Sequence, residues 1–189
     1  FGYIKTGIIE NLSVSGNVVG RSLVGSVTGR QDSGIIRNVY NTARVEAKLD
    51  RAGGIVGQST GTITNVFNFG EVIAVRNYAG GIAGYNNNVT TLNNSYSAGT
   101  VEVRNSAPYG VGENINATSN AYYDTTVISA MLVADALKPN TNLINTVGGK
   151  ETDSFIYDFI KELSFDEKVW EGKKESEEDA FLSNKDNAD

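Results

Sequence analysis

The side chains with chemical potential recur at a regular spacing. Glu46 and Glu102 share one position of a repeating pattern, with Ile73 between them. Arg21, Lys48 and Arg104 share another, joined one position out of register by Arg76. Tyr40, Phe67, Tyr96 and Tyr122 share a third. Paired carboxylates cleave glycosidic bonds when they stand about 5 Å apart (retaining) or roughly 6.5–9.5 Å apart (inverting). A row of guanidinium and ammonium groups binds sulfate, carboxylate or sialic-acid groups, so Arg21, Lys48, Arg76 and Arg104 form a candidate anionic-glycan stripe. A row of rings either offers a platform for sugar faces or stabilises neighbouring strands by stacking, and its repetition beside apolar columns favours stacking.

What the sequence lacks narrows the chemistry further. It contains no His and no Cys. That removes Ser-His and Cys-His nucleophilic catalysis, His-ligated zinc, thiolate metal sites and disulfides. No residue is assigned a catalytic, metal-binding or cofactor-binding role, no cofactor is expected, and the chain reads as a non-enzyme. The net charge is −6, with 10 basic and 9 acidic residues in 1–149 against 6 and 13 in 150–189. A near-neutral body with an acidic tail is not a nucleic-acid footprint. No apolar run approaches the ~18–20 residues of a membrane span, and no signal peptide is visible. The chain opens on Phe1-Gly2-Tyr3 inside a repeat, so a fragment of a longer protein is expected.

The elements that must position these side chains come from an internal repeat. Residues 52–75, AGGIVGQSTGTITNVFNFGEVIAV, and 79–103, AGGIAGYNNNVTTLNNSYSAGTVEV, say nearly the same thing twice. Asn11, Asn38, Asn65, Asn94 and Asn120 mark the period, at intervals of 27, 27, 29 and 26 residues. Two positions earlier stand Ile9, Ile36, Ile63, Leu92 and Thr118, and seven later Val18, Val45, Val72 and Val101. Alternation of this kind places one strand face inward. A period near 27 fits one coil of a parallel β-helix with two or three short strands, and coils would stack about 4.8 Å apart.

Within that frame each repeated residue has a structural reading. The glycines of the Gly-Gly pairs are expected to turn corners with positive φ or to pack backbone on backbone. The Asn column is expected to form a ladder of side-chain amides inside a turn. Val27–Ser33 reads as a bulging loop. Glu46 and Glu102 would lie two coils, about 9–10 Å, apart, and solvated surface is the better reading for them.

After residue 149 the pattern changes. Thr152-Asp153-Ser154 offers an N-cap, Phe155–Leu163 has an amphipathic helical spacing, and Ser164–Glu167 has capping-box spacing leading to Trp170. The expected organisation is a β-helix over 1–149, a C-terminal helical cap over 150–171 and an acidic tail or linker over 172–189. The fold class is all-β: a single-stranded right-handed parallel β-helix of about five coils.

Gly53-Gly54-Ile55-Val56-Gly57 with Gly61-x-Ile63-x-Asn65, and Gly80-Gly81-Ile82-Ala83-Gly84, resemble the GLUG repeat of bacterial surface proteins. The tail FIYDFIKELSFDEKVW (155–170) is similar to the segment that follows such repeats. The resemblance, which also supplies the handedness, implies a bacterial, extracellular or cell-surface protein. It points either to a large adhesin-like protein or to the non-catalytic N-terminal part of an IgA-specific zinc metalloendopeptidase. In such proteases the zinc motif lies in a separate domain, and nothing in this His-free chain matches it. The expected function is a non-catalytic structural or adhesive module, monomeric within a larger chain. Its partner would be a host protein or glycan, with neither nucleic acid nor membrane insertion. The alternatives are a scaffold or substrate-docking region of an IgA-specific metalloprotease, and a carbohydrate-active β-helix enzyme.

Overall fold

The computed structural model describes residues 1–86, 91–104, 108–109, 112, 121–123, 170–172 and 182–184. The first coil holds β1 (Tyr3–Ile4), β2 (Ile8–Val14) and β3 (Asn17–Gly20). The second holds β4 (Val24–Gly25), β5 (Thr28–Gln31), β6 (Ile35–Asn41) and β7 (Arg44–Ala47). The third holds β8 (Asp50–Gly53), β9 (Val56–Ser59), β10 (Thr62–Asn68) and β11 (Val72–Ala74). The fourth holds β12 (Asn77–Gly80), β13 (Ala83–Asn86), β14 (Thr91–Ser97) and β15 (Val101–Val103), and β16 (Ala121–Tyr123) follows.

Each strand pairs in parallel with its counterpart one coil away, giving four sheets ordered β1-β5-β9-β13, β2-β6-β10-β14-β16, β3-β7-β11-β15 and β4-β8-β12. The molecule is an all-β parallel solenoid of about four turns, and no helix occurs among the described residues. A full coil uses four strands, not the two or three expected. The fourth sheet is built from short Gly-containing strands whose length hides them from a periodicity reading. For the same reason Thr28–Gln31, expected within a loop, is strand β5, paired with β9 through Thr28↔Val56 and Gln31↔Ser59.

The register carries the expected columns. Ile9↔Ile36, Ile36↔Ile63 and Ile63↔Leu92 stack in the second sheet, with Leu12, Val39 and Val66 stacked beside them. Val18, Val45, Val72 and Val101 stack in the third. Ile36, Ile63, Leu92, Val45, Val72 and Val101 are fully buried and belong to one continuous aliphatic core. Burying each such side chain contributes about 1.5–3 kcal/mol, and the stack supplies it only between neighbouring coils.

The Asn column forms its ladder, but not in a turn. Asn38 Nδ2 donates to Asn11 Oδ1 (3.1 Å), Asn65 to Asn38 (3.2 Å) and Asn94 to Asn65 (3.1 Å). Each lies in the middle of a seven-residue strand with φ of 55°, 54°, 52° and 44° for Asn11, Asn38, Asn65 and Asn94. Asn tolerates this left-handed bend better than other L-residues, which explains the residue type independently of the ladder. The bend resets the alternation. Val66 and Asn68 are buried on either side of Phe67, itself 1% exposed yet outside the aliphatic cluster. Phe67 and Tyr96 stack with ring centroids 5.0 Å apart, and the register runs Ser13, Tyr40, Phe67, Tyr96, Tyr122. Phe67 and Tyr96 therefore stack one on the other along the second sheet.

A second, inward ladder was not anticipated. Asn41 Nδ2 donates to Asn68 Oδ1 (2.8 Å), and Asn68 Nδ2 lies 3.4 Å from Ser97 Oγ. All three are fully buried. Each Asn also closes the turn after its strand: Asn68 Oδ1 accepts from Gly70 N (3.1 Å) and Asn68 Nδ2 donates to Gly70 O (3.0 Å).

The repeat glycines are required for space and not for dihedral freedom. None of Gly53, Gly54, Gly57, Gly61, Gly80 and Gly84 has a left-handed φ. A Cβ on Gly57 would meet Val24 N at 2.5 Å and Gly29 O at 2.7 Å, and one on Gly84 would meet Ala52 O at 2.7 Å and Gly57 O at 2.8 Å. The first and fourth sheets thus meet backbone to backbone.

Of the expected cap and tail, residues 150–169 lie outside the described residues. Trp170–Gly172 is strand β17, paired antiparallel with β18 (Leu182–Asn184). Trp170 and residues 182–184 therefore lie in a strand pair, and the rest of the expected cap and tail lies outside the described residues.

Candidate functional site

The outward residues at the rim of the third sheet hold the predicted groups. Val19↔Glu46, Glu46↔Ile73 and Ile73↔Glu102 form the expected column, so the two glutamates are two coils apart. Glu46 is engaged by Arg44 Nη1 (2.6 Å), while Arg44 Nε reaches Glu71 in the next coil (2.7 Å). These hydrogen bonds, first to Glu46 and then to Glu71, raise the Arg44 pKa.

Arg21, Lys48 and Arg104 are exposed and follow β3, β7 and β15 directly. Gly20↔Ala47 pairing puts Arg21 beside Lys48. Ala74↔Ala47 and Ala74↔Val103 put Val75 between Lys48 and Arg104. Arg76 leaves the stripe: its Nε donates to Asp50 Oδ1 (2.9 Å) and its Nη2 pairs with Asp50 Oδ2. The structure therefore brings together Arg21 and Lys48, sets Arg104 two rungs beyond Lys48, and turns Arg76 toward the fourth sheet.

That turn leads to a groove missed in the sequence. Ser22, Asp50 and Asn77 form one row across three coils and Leu23, Arg51 and Tyr78 the next, enclosing about 360 Å³. Asn77↔Asp50 and Val24↔Ala52 set the register. Leu23, Arg51 and Tyr78 have φ of 57°, 66° and 63°, a second left-handed column without Asn or Gly. Such a conformation costs an L-residue roughly 1–2 kcal/mol. Arg51 Nη1 donates to Gln58 Oε1 (2.8 Å), and its guanidinium lies 4.7 Å from the centre of the Tyr85 ring. Tyr85 meets Tyr78 edge to face at 5.6 Å. Asn77 Nδ2 donates to Asp50 Oδ1 (3.0 Å). The matching positions in LDRAGG (49–54) and RNYAGG (76–81) are the only sequence signal, because Arg, Tyr and Leu do not announce a left-handed site.

Hydrogen bonds from Arg76, and then from Asn77, hold the Asp50 carboxyl below its usual pKa against an opposing desolvation. A depressed carboxylate pKa contributes stability that is complete above the unfolded value, about 3.9, and lost as pH falls through the folded value. Asp32 behaves alike, lowered by the Tyr3 hydroxyl and then Arg30. Stability of the wild type should therefore fall as pH drops below about 4, and Asp50→Asn should flatten that limb. Thermal melts from pH 6 to pH 2.5 check this; parallel curves for the two proteins would refute it.

Among the described residues no three His, Cys, Asp or Glu side chains cluster as metal ligands would. The same residues contain no helix long and apolar enough to cross a membrane.

The fold and this outward surface define a parallel β-solenoid with a polar groove that crosses its coils. Among solved structures the chain resembles a putative immunoglobulin A1 protease from Bacteroides ovatus, with a TM-score of 0.75 and 19% identity. The likeness covers 97% of this chain and 62% of that one, so the chain spans under two thirds of its neighbour's length. The sequence matches no protein-family model and no curated protein.

Proposed function

We propose that this chain is a non-catalytic structural module of a large bacterial secreted or cell-surface protein, with GLUG-type repeats forming an adhesin-like rod. The observation that carries the reading is the four-sheet solenoid, whose likeness to a putative immunoglobulin A1 protease runs through 97% of this chain. The rim chemistry supports it. Glu10 pairs with Arg37, and Glu46 and Glu71 both pair with Arg44, so these carboxylates are engaged in ion pairs along the coil surface. Surface pairs of this kind contribute little to stability and suit a solvated rod.

The same likeness favours a second reading: a scaffold or substrate-docking region within an IgA-directed protease. One experiment separates the two. The purified chain is incubated with immunoglobulin A1 and with a polysaccharide panel, and both binding and cleavage are measured. A structural module leaves all substrates intact and binds no immunoglobulin. Immunoglobulin binding without cleavage supports the docking reading instead. Cleavage of either substrate class overturns the non-catalytic assignment.

A further inference from the structure

We propose that the groove along the leading edge of the fourth sheet is a binding site for a short neutral saccharide. This does not rest on the structural-module reading and would stand if that reading failed.

The first argument is the choice of residues at the left-handed positions. The mid-strand column of the second sheet meets its φ near 50° with Asn at every described rung. The column in the fourth sheet meets the same demand with Leu23, Arg51 and Tyr78, in a chain that holds 21 glycines. Large side chains at strained positions do nothing for the backbone, so the reason for them lies in what the side chains do.

The second argument is what they line. The groove, about 360 Å³, lies at the small end of ligand pockets and crosses three coils. Two rung spacings make it about 10 Å long, the reach of a disaccharide. One wall carries an aromatic ring, Tyr78, whose apolar face and polar tip match the amphipathic face of a hexose. The neighbouring row offers a hydroxyl, a carboxylate and an amide from Ser22, Asp50 and Asn77. Sugar hydroxyls both donate and accept, and this row supplies both functions. Asp50 Oδ2 accepts from Arg76, and a carboxylate oxygen has room for a second donor. Asn77 Nδ2 spends one hydrogen on Asp50 and Arg51 Nη1 one on Gln58, out of two and five available to those groups.

The third argument selects a neutral ligand. Asp50 stands in the middle rung, and its partner Arg76 is already committed to it. Arg51 is held against the Tyr85 ring and Gln58. An anionic sugar would meet the Asp50 carboxylate at the centre of the groove, whereas a hydroxyl would meet an acceptor.

The test uses the 189-residue chain and isothermal titration with cellotetraose, maltotetraose, mannotetraose, N-acetyllactosamine and sialyllactose. A glycoprotein bearing terminal N-acetyllactosamine is added to separate a free oligosaccharide from a protein-attached glycan. Tyr78→Gly removes the ring, relieving the left-handed backbone while giving up the Tyr85 contact, and circular dichroism checks that the variant is folded before binding is read. Asn77→Ala removes the amide, and Lys5→Ala, an exposed side chain of the first coil outside the groove and the basic stripe, is the control. The expected result is saturable binding of at least one neutral sugar, weakened at least tenfold by Tyr78→Gly and by Asn77→Ala and unchanged by Lys5→Ala. No binding by any neutral sugar, binding of sialyllactose alone, or affinities unmoved by both groove variants would overturn the proposal.

Discussion

Gly53→Ala is expected to destabilise the solenoid by about 3 kcal/mol or more, a large fraction of the stability of a domain. The added Cβ would strike the Val56 carbonyl oxygen and come within 2.5 Å of Gly84 N and 2.8 Å of the Ala83 Cα. All three are backbone atoms of paired strands, so no side-chain rotation can make room. Moving them would break the rungs that join β8 to β12 and β9 to β13. Gly2→Ala is the control, because a Cβ there meets nothing within 4 Å. Urea denaturation followed by far-ultraviolet circular dichroism reads both. Equal midpoints for the two variants would show that the first and fourth sheets are not in backbone contact.

Asn68→Leu is expected to cost about 3 kcal/mol, a fall in melting temperature of roughly 6–12 °C for a chain of this size. Leucine has similar volume but strands the Gly70 carbonyl and one amide hydrogen of Asn41 in a buried place. Each abandoned polar group costs about 1–3 kcal/mol. The Gly70 N–H keeps a bond to the Asn41 carbonyl at 3.2 Å, which limits the damage. Asn68→Ser should be milder, since Ser97 occupies the same column one rung further on. A leucine variant that melts with the wild type would mean that the ladder contributes nothing net. These two substitutions probe different forces. Gly53 tests whether space is available, and Asn68 tests whether turn dipoles are satisfied.

The columns were legible because a solenoid repeats its demands. Ile9, Ile36, Ile63 and Leu92 carry the same burial at the same phase, so the core of the second and third sheets could be read from spacing. The aromatic column was legible for the same reason. The inward Asn41–Asn68–Ser97 ladder was less so: Val14 holds its place in the first rung and Ser97 in the fourth, and a column that changes residue type hides itself. The fourth sheet was invisible because its strands are two to four residues long and rich in small residues, which carry no alternation.

The candidate groove shows the same limit at the level of chemistry. Arg76 was read with the basic stripe because it lies one residue from the register of Arg21, Lys48 and Arg104. That one residue carries it past the corner, where it closes on Asp50. Asp50 itself, with Arg51 and Tyr78, belonged to no column of like residues.

The sequence alone therefore determined the architecture: a period near 27, inward β-branched columns, Asn at the bend and Gly where coils crowd. These are local, repeated requirements, and each repetition restates them. Tertiary structure alone decided which outward side chains meet. Ser22, Asp50 and Asn77 are 27 or 28 residues apart in the chain and adjacent only because the coils stack. Their residue types differ from rung to rung, so only the closed coil turns them into a single surface.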